Sequence, residues 1–199
     1  MSEFRVFKQV PRLLFGSGVL SRVNEVLPKE EHGRIFVVDS ALRTQEIEER
    51  LALRPNDEVL WFPASHHEPS TAQVDEIRDQ VAGRQAELPD AIIGVGGGST
   101  MDVAKALSVM LTNSGSSSEY QGWDLVDRPG VFKVGVPTLS GSGAEASRTA
   151  VLMGPDRKFG INSDHSMFNA VVLDSSLIGG VQADQRFYSG MDCYIHCVE

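Results

Sequence analysis

The sequence predicts an α/β fold: a parallel, doubly wound sheet that carries a β-hairpin and leads into the first helix of a further, all-helical domain. Three observations carry this reading. Short β-rich runs alternate with longer helical patterns over residues 34–99. The strands are apolar throughout instead of alternating, as strands covered on both faces are. A glycine cluster separates the third of these strands from a helix. Ligands of such sheets sit beyond the carboxyl ends of the strands, so a site is expected in the loops after Val38, Phe62 and Val95.

Taken in order, Arg34-Ile-Phe-Val-Val38 reads as a strand followed by a helix over 42–53, and Glu58-Val-Leu-Trp-Phe62 as a strand followed by a helix over 71–81. Ala91-Ile-Ile-Gly-Val95 is the third strand, with a helix starting at Ser99. Asn113-Ser-Gly-Ser-Ser-Ser118 is a loop, and Phe132-Lys-Val-Gly-Val136 a further strand that enters a second glycine-rich turn at 139–143. Ala150-Val-Leu-Met-Gly154 and Lys158-Phe-Gly-Ile161, separated by Pro155-Asp156, form the hairpin, and Ala170-Val-Val-Leu173 is the last strand. Beyond Asp184 the pattern is helical and stops in mid-pattern, with Tyr194, Ile195 and Val198 on an apolar stripe and no C-terminal cap. Residues 1–182 are therefore assigned to the α/β domain and 183–199 to the start of a truncated helical one.

Composition narrows the function. A chain of 199 residues, 41% hydrophobic and 23% charged, can bury a core and is not a disordered segment. Its net charge of −9 offers no basic field, which argues against a nucleic-acid partner. No apolar run approaches the ~20 residues that span a bilayer, and Met1-Ser-Glu-Phe-Arg5 lacks the apolar core of a signal peptide. The expectation is a cytoplasmic protein without a membrane partner. Cys193 and Cys197, four residues apart on one helical face, make no disulfide framework.

The strongest chemical signal is Ile93-Gly-Val-Gly-Gly-Gly-Ser-Thr-Met-Asp-Val-Ala-Lys105, a strand running through glycines into a helix. Glycines let a ligand approach the backbone without Cβ interference, and free amides at the helix start, aided by the dipole, make an anion site suited to pyrophosphate. The alternative is an ordinary capped turn, since Ser99 followed by Asp102 also reads as a capping pair. The run does not match G-x-G-x-x-G.

Asp39 ends the first strand of the alternation, where a carboxylate accepts from ribose hydroxyls and repels a 2′-phosphate, favouring NAD over NADP; the alternative is a cap for the following helix. Thr138, Ser140 and Ser142 place hydroxyls in the second glycine turn. Asp192 and His196 project from one helical face about 6 Å apart and can share a divalent metal. Two other readings stand beside it: an aspartate favoured by the helix dipole with a histidine in a helix interface, and a soft zinc set of Cys193, His196 and Cys197, whose cysteines otherwise read as small buried hydrophobes. His66 and His67 read as a surface loop, with the adenine side of a cofactor as the alternative, and His32 and His165 carry no pattern.

Gly96-Gly-Gly-Ser-Thr-Met-Asp-Val-Ala-Lys105, Pro137-Thr-Leu-Ser-Gly-Ser-Gly-Ala-Glu145 and Gly190-Met-Asp-Cys-Tyr-Ile-His196, in this order and spacing, resemble the group III, iron-containing alcohol dehydrogenases over essentially the whole chain. The resemblance implies a dehydroquinate synthase-like fold, a Rossmann-like NAD-binding domain followed by a helical one, in a homodimer. It implies that NAD is held by Asp39, Gly96, Gly97, Gly98, Ser99, Thr100, Asp102, Thr138, Leu139, Ser140, Ser142 and Lys158. It makes Asp192 and His196 ligands of an iron or zinc ion, and puts both with Lys158 at the catalytic centre; a solvated lysine in the hairpin is the alternative for Lys158. The family's other metal histidines would come from beyond residue 199, leaving two donors where a catalytic site needs three and an open position.

Within the family, Tyr120-Gln-Gly-Trp-Asp124 and the runs at 132–140 and 190–197 are most similar to the 3-deoxy-octulosonate 8-oxidases of lipopolysaccharide biosynthesis. That similarity implies oxidation of the C8 hydroxyl of a sugar acid to an aldehyde, with metal as Lewis acid and NAD as hydride acceptor. The alternatives are a generic group III alcohol dehydrogenase and a nucleotide-binding module without catalysis.

Overall fold

The apolar runs expected as strands all pair, and most of them join one sheet. The computed structural model describes residues 8–28, 32–64, 68–84 and 87–199. In chain order the elements are β1 (Leu13–Gly16), a 3-10 helix (Val19–Glu25), β2 (Arg34–Asp39), a 3-10 turn (Ser40–Leu42), α1 (Gln45–Arg50), β3 (Glu58–Phe62), α2 (Thr71–Arg84), β4 (Ala91–Gly96) and α3 (Gly98–Met110). They continue with a 3-10 turn (Ser117–Tyr120), β5 (Gly122–Trp123), β6 (Lys133–Pro137), β7 (Thr149–Met153), β8 (Lys158–Asn162), β9 (Ala170–Asp174), α4 (Ser175–Ile178) and α5 (Ala183–Val198).

Six strands form a sheet in the order β1-β9-β6-β4-β2-β3, every pairing parallel. The Rossmann-like arrangement expected from the alternation is therefore present. Its central strands are buried on both faces. Phe36, Val38, Ile93, Val95, Val134 and Val136 meet Leu20, Val23 and Ile47 on one side, while Ile35, Val37 and Ile92 meet Met101, Ala104 and Leu107 of α3 on the other. Fully apolar strands are the direct consequence of covering both faces.

Close packing of α3 on the sheet depends on Gly94: a Cβ there would lie 2.8 Å from Ala104 Cβ and 3.2 Å from Met101 Cε. The hairpin joins β5 in a small second sheet of order β5-β8-β7, with β7 and β8 antiparallel. Ala150, Leu152 and Ile161 seat it against Val74, Ala106, Val109 and Met110.

From β2 the chain runs outward to β3, then returns so that β4 lies on the opposite side of β2. The direction of winding thus reverses between β2 and β4, and ligand sites of open parallel sheets form at such a crevice. Asp39 ends β2 and Gly96 ends β4, so close that a Cβ on Gly96 would lie 3.0 Å from Asp39 Cβ.

Several elements differ from expectation. The helix over 42–53 is broken into the turn at Ser40–Leu42 and the short α1, because Asp39 Oδ1 accepts from Ala41 N–H (3.0 Å) and Thr44 Oγ1 accepts from Ile47 N–H (3.3 Å), each starting a separate element. Ala52, at φ +50°, carries the chain out of it. Helix α3 starts at Gly98 with Gly97 as its cap and no side-chain cap bond, so Ser99 and Asp102 are not a capping pair. The 113–118 loop leads into a turn capped reciprocally by Ser116 and Glu119. Strand β1 and α4 were not expected.

Candidate cofactor cleft and its metal-ligand pair

The carboxyl ends of β2, β3, β4 and β6 open into a cleft of about 1040 Å³ that extends to the start of β8 and to α5. All three loops singled out from the sequence contribute: Asp39, then Ala64 and Glu68, then Gly97 and Gly98. Its base is the start of α3. The first intrahelical bond there is Met101 N–H to Gly97 O (3.1 Å), so the N–H groups of Gly98, Ser99 and Thr100 precede the helical ladder and form the donor end of the dipole.

The second glycine turn packs onto the first. A Cβ on Gly97 would lie 3.2 Å from Leu139 Cδ1, and one on Gly98 would lie 2.7 Å from Ser142 Oγ. Beneath them Thr100 is buried, with its Oγ1 without a hydrogen-bond partner among the described residues. A cradle that side chains would fill, free amides at a helix start and an unpartnered buried hydroxyl beneath it fit the pyrophosphate of a dinucleotide. Asp39 borders the cleft and accepts the Ala41 amide.

Of the other expected cofactor residues, Ser99, Asp102, Thr138, Leu139, Ser142 and Lys158 line the cleft. Gly96 is buried, like Thr100, and Ser140 is exposed; none of the three lines the cleft. Lys158 Nζ donates to Glu68 Oε1 (2.5 Å) across the rim, so it is not a lysine held by solvent alone.

Asp102 presents a carboxylate to the cleft with only 13% of the side chain exposed. Burial pushes its pKa up to about 6 against the pull of Lys105, the backbone near Val151 and Lys158. Lys105 is fully buried, donating to Thr149 O (2.8 Å) and Ser147 Oγ (3.1 Å) with its ammonium over the Phe168 ring. Burial pulls its pKa down to about 8, opposed by Asp102 and Glu145. Sequence reasoning missed Glu68 and Lys105; the position of Glu68 just after a parallel strand was the available signal.

Asp192 lines the far end of the cleft, 3.7 Å from His196 Nδ1 through its Oδ1. His196 lies outside the lining, its side chain 52% exposed among the described residues. An anionic oxygen and an imidazole nitrogen at this spacing fit an iron or zinc ion by the chemistry of the donors. Among the described residues no group of three or more His, Cys, Asp or Glu side chains is placed to hold a metal, so the Cys193, His196 and Cys197 set is not assembled. Both cysteines are exposed rather than buried. His66 and His67 lie outside the described residues. No helix among the described residues is long and apolar enough to cross a membrane.

The profile of the iron-containing alcohol dehydrogenase family matches residues 11–175. Sulfoacetaldehyde reductase of Bilophila wadsworthia is 30% identical across 96% of this chain and 50% of its own length. NAD-dependent methanol dehydrogenase of Bacillus methanolicus is 28% identical across 95% of this chain and 50% of its own. The crystal structure of a 1,3-propanediol oxidoreductase superposes with a TM-score of 0.85 and 26% identity, covering 98% of this chain and 52% of that one. The chain thus spans about half the length of the curated relatives it matches. With the parallel sheet, the paired glycine turns and a family match running from β1 into α4, the chain belongs to the iron-containing alcohol dehydrogenase family.

Proposed function

We propose that the chain is the cofactor-binding part of an NAD-dependent, metal-assisted alcohol dehydrogenase that oxidises a primary hydroxyl to an aldehyde, with C8 of 3-deoxy-octulosonate as substrate. The observation that carries this reading is the cradle of Gly97 and Gly98, with helix-start amides facing a cleft that Asp39 closes at one end and Asp192 at the other. Bound NAD would accept the hydride at its nicotinamide. The amides of Gly97 to Thr100 would hold its pyrophosphate with Asp102 close by, Asp39 would accept from the ribose hydroxyls, and Lys158 would flank the nicotinamide end.

A bound iron or zinc ion would supply a Lewis acid that makes the substrate hydroxyl more acidic. Asp192 and His196 would hold it, with further donors from outside this pair. Residues 1–182 form the NAD-binding unit and α5 carries the metal donors. The protein acts in the cytoplasm as a homodimer.

One observation favours a generic uncharged alcohol over a sugar acid. Asp39, Glu68, Asp102, Glu145 and Asp192 border the cleft, whereas Lys158 is already paired with Glu68. The test follows NADH formation with iron or zinc, comparing short primary alcohols with 3-deoxy-octulosonate, for this chain and for a version extended beyond Glu199. Turnover of the sugar acid by the extended version supports the proposed substrate. Turnover of simple alcohols alone selects the generic reading, and NAD binding without turnover in either version leaves a nucleotide-binding module.

A further inference from the structure

The two glycines of the second turn are required for different reasons. Gly143 has φ +63°, and a Cβ on it would meet nothing within 4 Å, so backbone conformation calls for glycine there. Gly141 is not among the residues of positive φ, but a Cβ on it would lie 3.0 Å from Ser189 O, 3.2 Å from Asp192 Oδ2 and 3.2 Å from Ser189 Cβ. At 141 it is space, not conformation, that disfavours a side chain: its neighbours on α5 would have to give by a few tenths of an ångström.

We infer that Gly141 is a positioning residue for Asp192, its bare backbone being the seat that sets how far α5 stands from the cofactor turn. This rests on the reading of Asp192 as a metal ligand. The obstruction a side chain would meet is partly a backbone carbonyl, which cannot rotate aside as a side-chain tip can. The turn also lies close to the first glycine turn, where a Cβ on Gly97 would come within 3.2 Å of Leu139 Cδ1 and one on Gly98 within 2.7 Å of Ser142 Oγ. Among the described residues none of helix α5 is buried. A methyl group at 141 is accommodated by moving α5, and with it the Asp192 carboxylate, while the pyrophosphate cradle stays in place.

The experiment measures metal and cofactor binding separately on the full chain. Free manganese is followed by electron paramagnetic resonance during titration, zinc by competition with a chromophoric chelator, and NAD by calorimetry without metal. Gly141→Ala is expected to lower affinity for both ions about tenfold, the loss typical when the support of a ligand is disturbed, with NAD affinity and melting temperature unchanged.

Ser189→Thr crowds the same contact from the α5 side, keeps the hydroxyl that bonds Gln185 O (2.8 Å), and is expected to lower metal affinity in the same direction. It carries the test should Gly141→Ala fail to fold. Unchanged metal affinity in a folded variant would overturn the inference. So would equal losses of NAD and metal affinity with a lowered melting temperature, which mark a role in folding alone. Asp192→Asn separates the underlying reading: if it binds metal as the unmodified chain does, Asp192 is not a ligand and the metal assignment fails irrespective of Gly141.

Discussion

Asp102 and Lys105 stand one helical turn apart on α3 with Oδ1 and Nζ 4.0 Å from each other, and only the carboxylate reaches the cleft. Burial raises Asp102 to about 6, so its charge changes close to neutrality, beside the amides assigned to the pyrophosphate. Protonation removes a negative charge from the neighbourhood of an anion. NAD affinity is therefore expected to rise as pH falls through about 6, by an interaction on the order of 1 kcal/mol after screening. Calorimetry across that range should show the rise in the unmodified chain and a flat profile in Asp102→Asn; parallel profiles would show that Asp102 does not sense the cofactor.

The same group sets a stability slope. Its folded pKa of about 6 lies above the ordinary aspartate value of 3.8, so the folded state keeps a proton that the unfolded state has released. Its contribution is present below about 3.8 and lost as pH rises through about 6. Urea midpoints of Asp102→Asn are expected to gain on those of the unmodified chain as pH rises through this window, and a constant difference would contradict it.

Asp174 behaves in the opposite sense. Its burial opposes ionisation, yet hydrogen bonds from Ser176, Leu20 and Gly18 outweigh it and hold the pKa down to about 2. Arg50 Nη2 adds an ion pair at 2.6 Å. The folded pKa lies below the ordinary 3.8, so this stabilisation is present above that value and lost as pH falls towards about 2. Asp174→Ala strands the buried Leu20 amide and takes one partner from the Arg50 guanidinium, which keeps Ser176 Oγ (2.7 Å) and Glu46, and is expected to cost about 3 kcal/mol at neutral pH. Chemical denaturation measures it, and a loss below about 1 kcal/mol would show that water replaces the carboxylate.

Asp39 predicts cofactor choice. Its carboxylate would face the extra phosphate of NADP, a repulsion on the order of a few kcal/mol before screening. Asp39→Gly is expected to narrow the preference for NAD at small cost in stability, since glycine is also tolerated at a cap position. Equal affinities of the unmodified chain for NAD and NADP would leave Asp39 only its bond to Ala41 N–H (3.0 Å).

What the sequence disclosed depended on how local each signal was. The passage from β4 through Gly96, Gly97 and Gly98 into α3 is written in consecutive residues and was readable from them. So were the hairpin strands and Asp39 at the end of β2. The break between Ser40–Leu42 and α1 was not, because hydrogen bonds from Asp39 and Thr44 override an otherwise continuous helical pattern. Strand β1 has four residues whose exposure alternates, and only its pairing with β9, far along the chain, makes it a strand. The Glu68–Lys158 pair and the burial of Lys105 join residues distant in sequence, and no spacing encodes them.

The central claim is that the cradle at the start of α3 holds NAD, and Gly98→Val tests it most directly. Any side chain at 98 starts 2.7 Å from Ser142 Oγ, and the branched carbons of valine would occupy the space where the pyrophosphate must approach. Titration calorimetry is predicted to show NAD binding by the unmodified chain and a loss of roughly 100-fold or more, about 3 kcal/mol, in the variant, with the circular dichroism spectrum retained. Equal NAD affinity in a folded Gly98→Val variant would contradict the site.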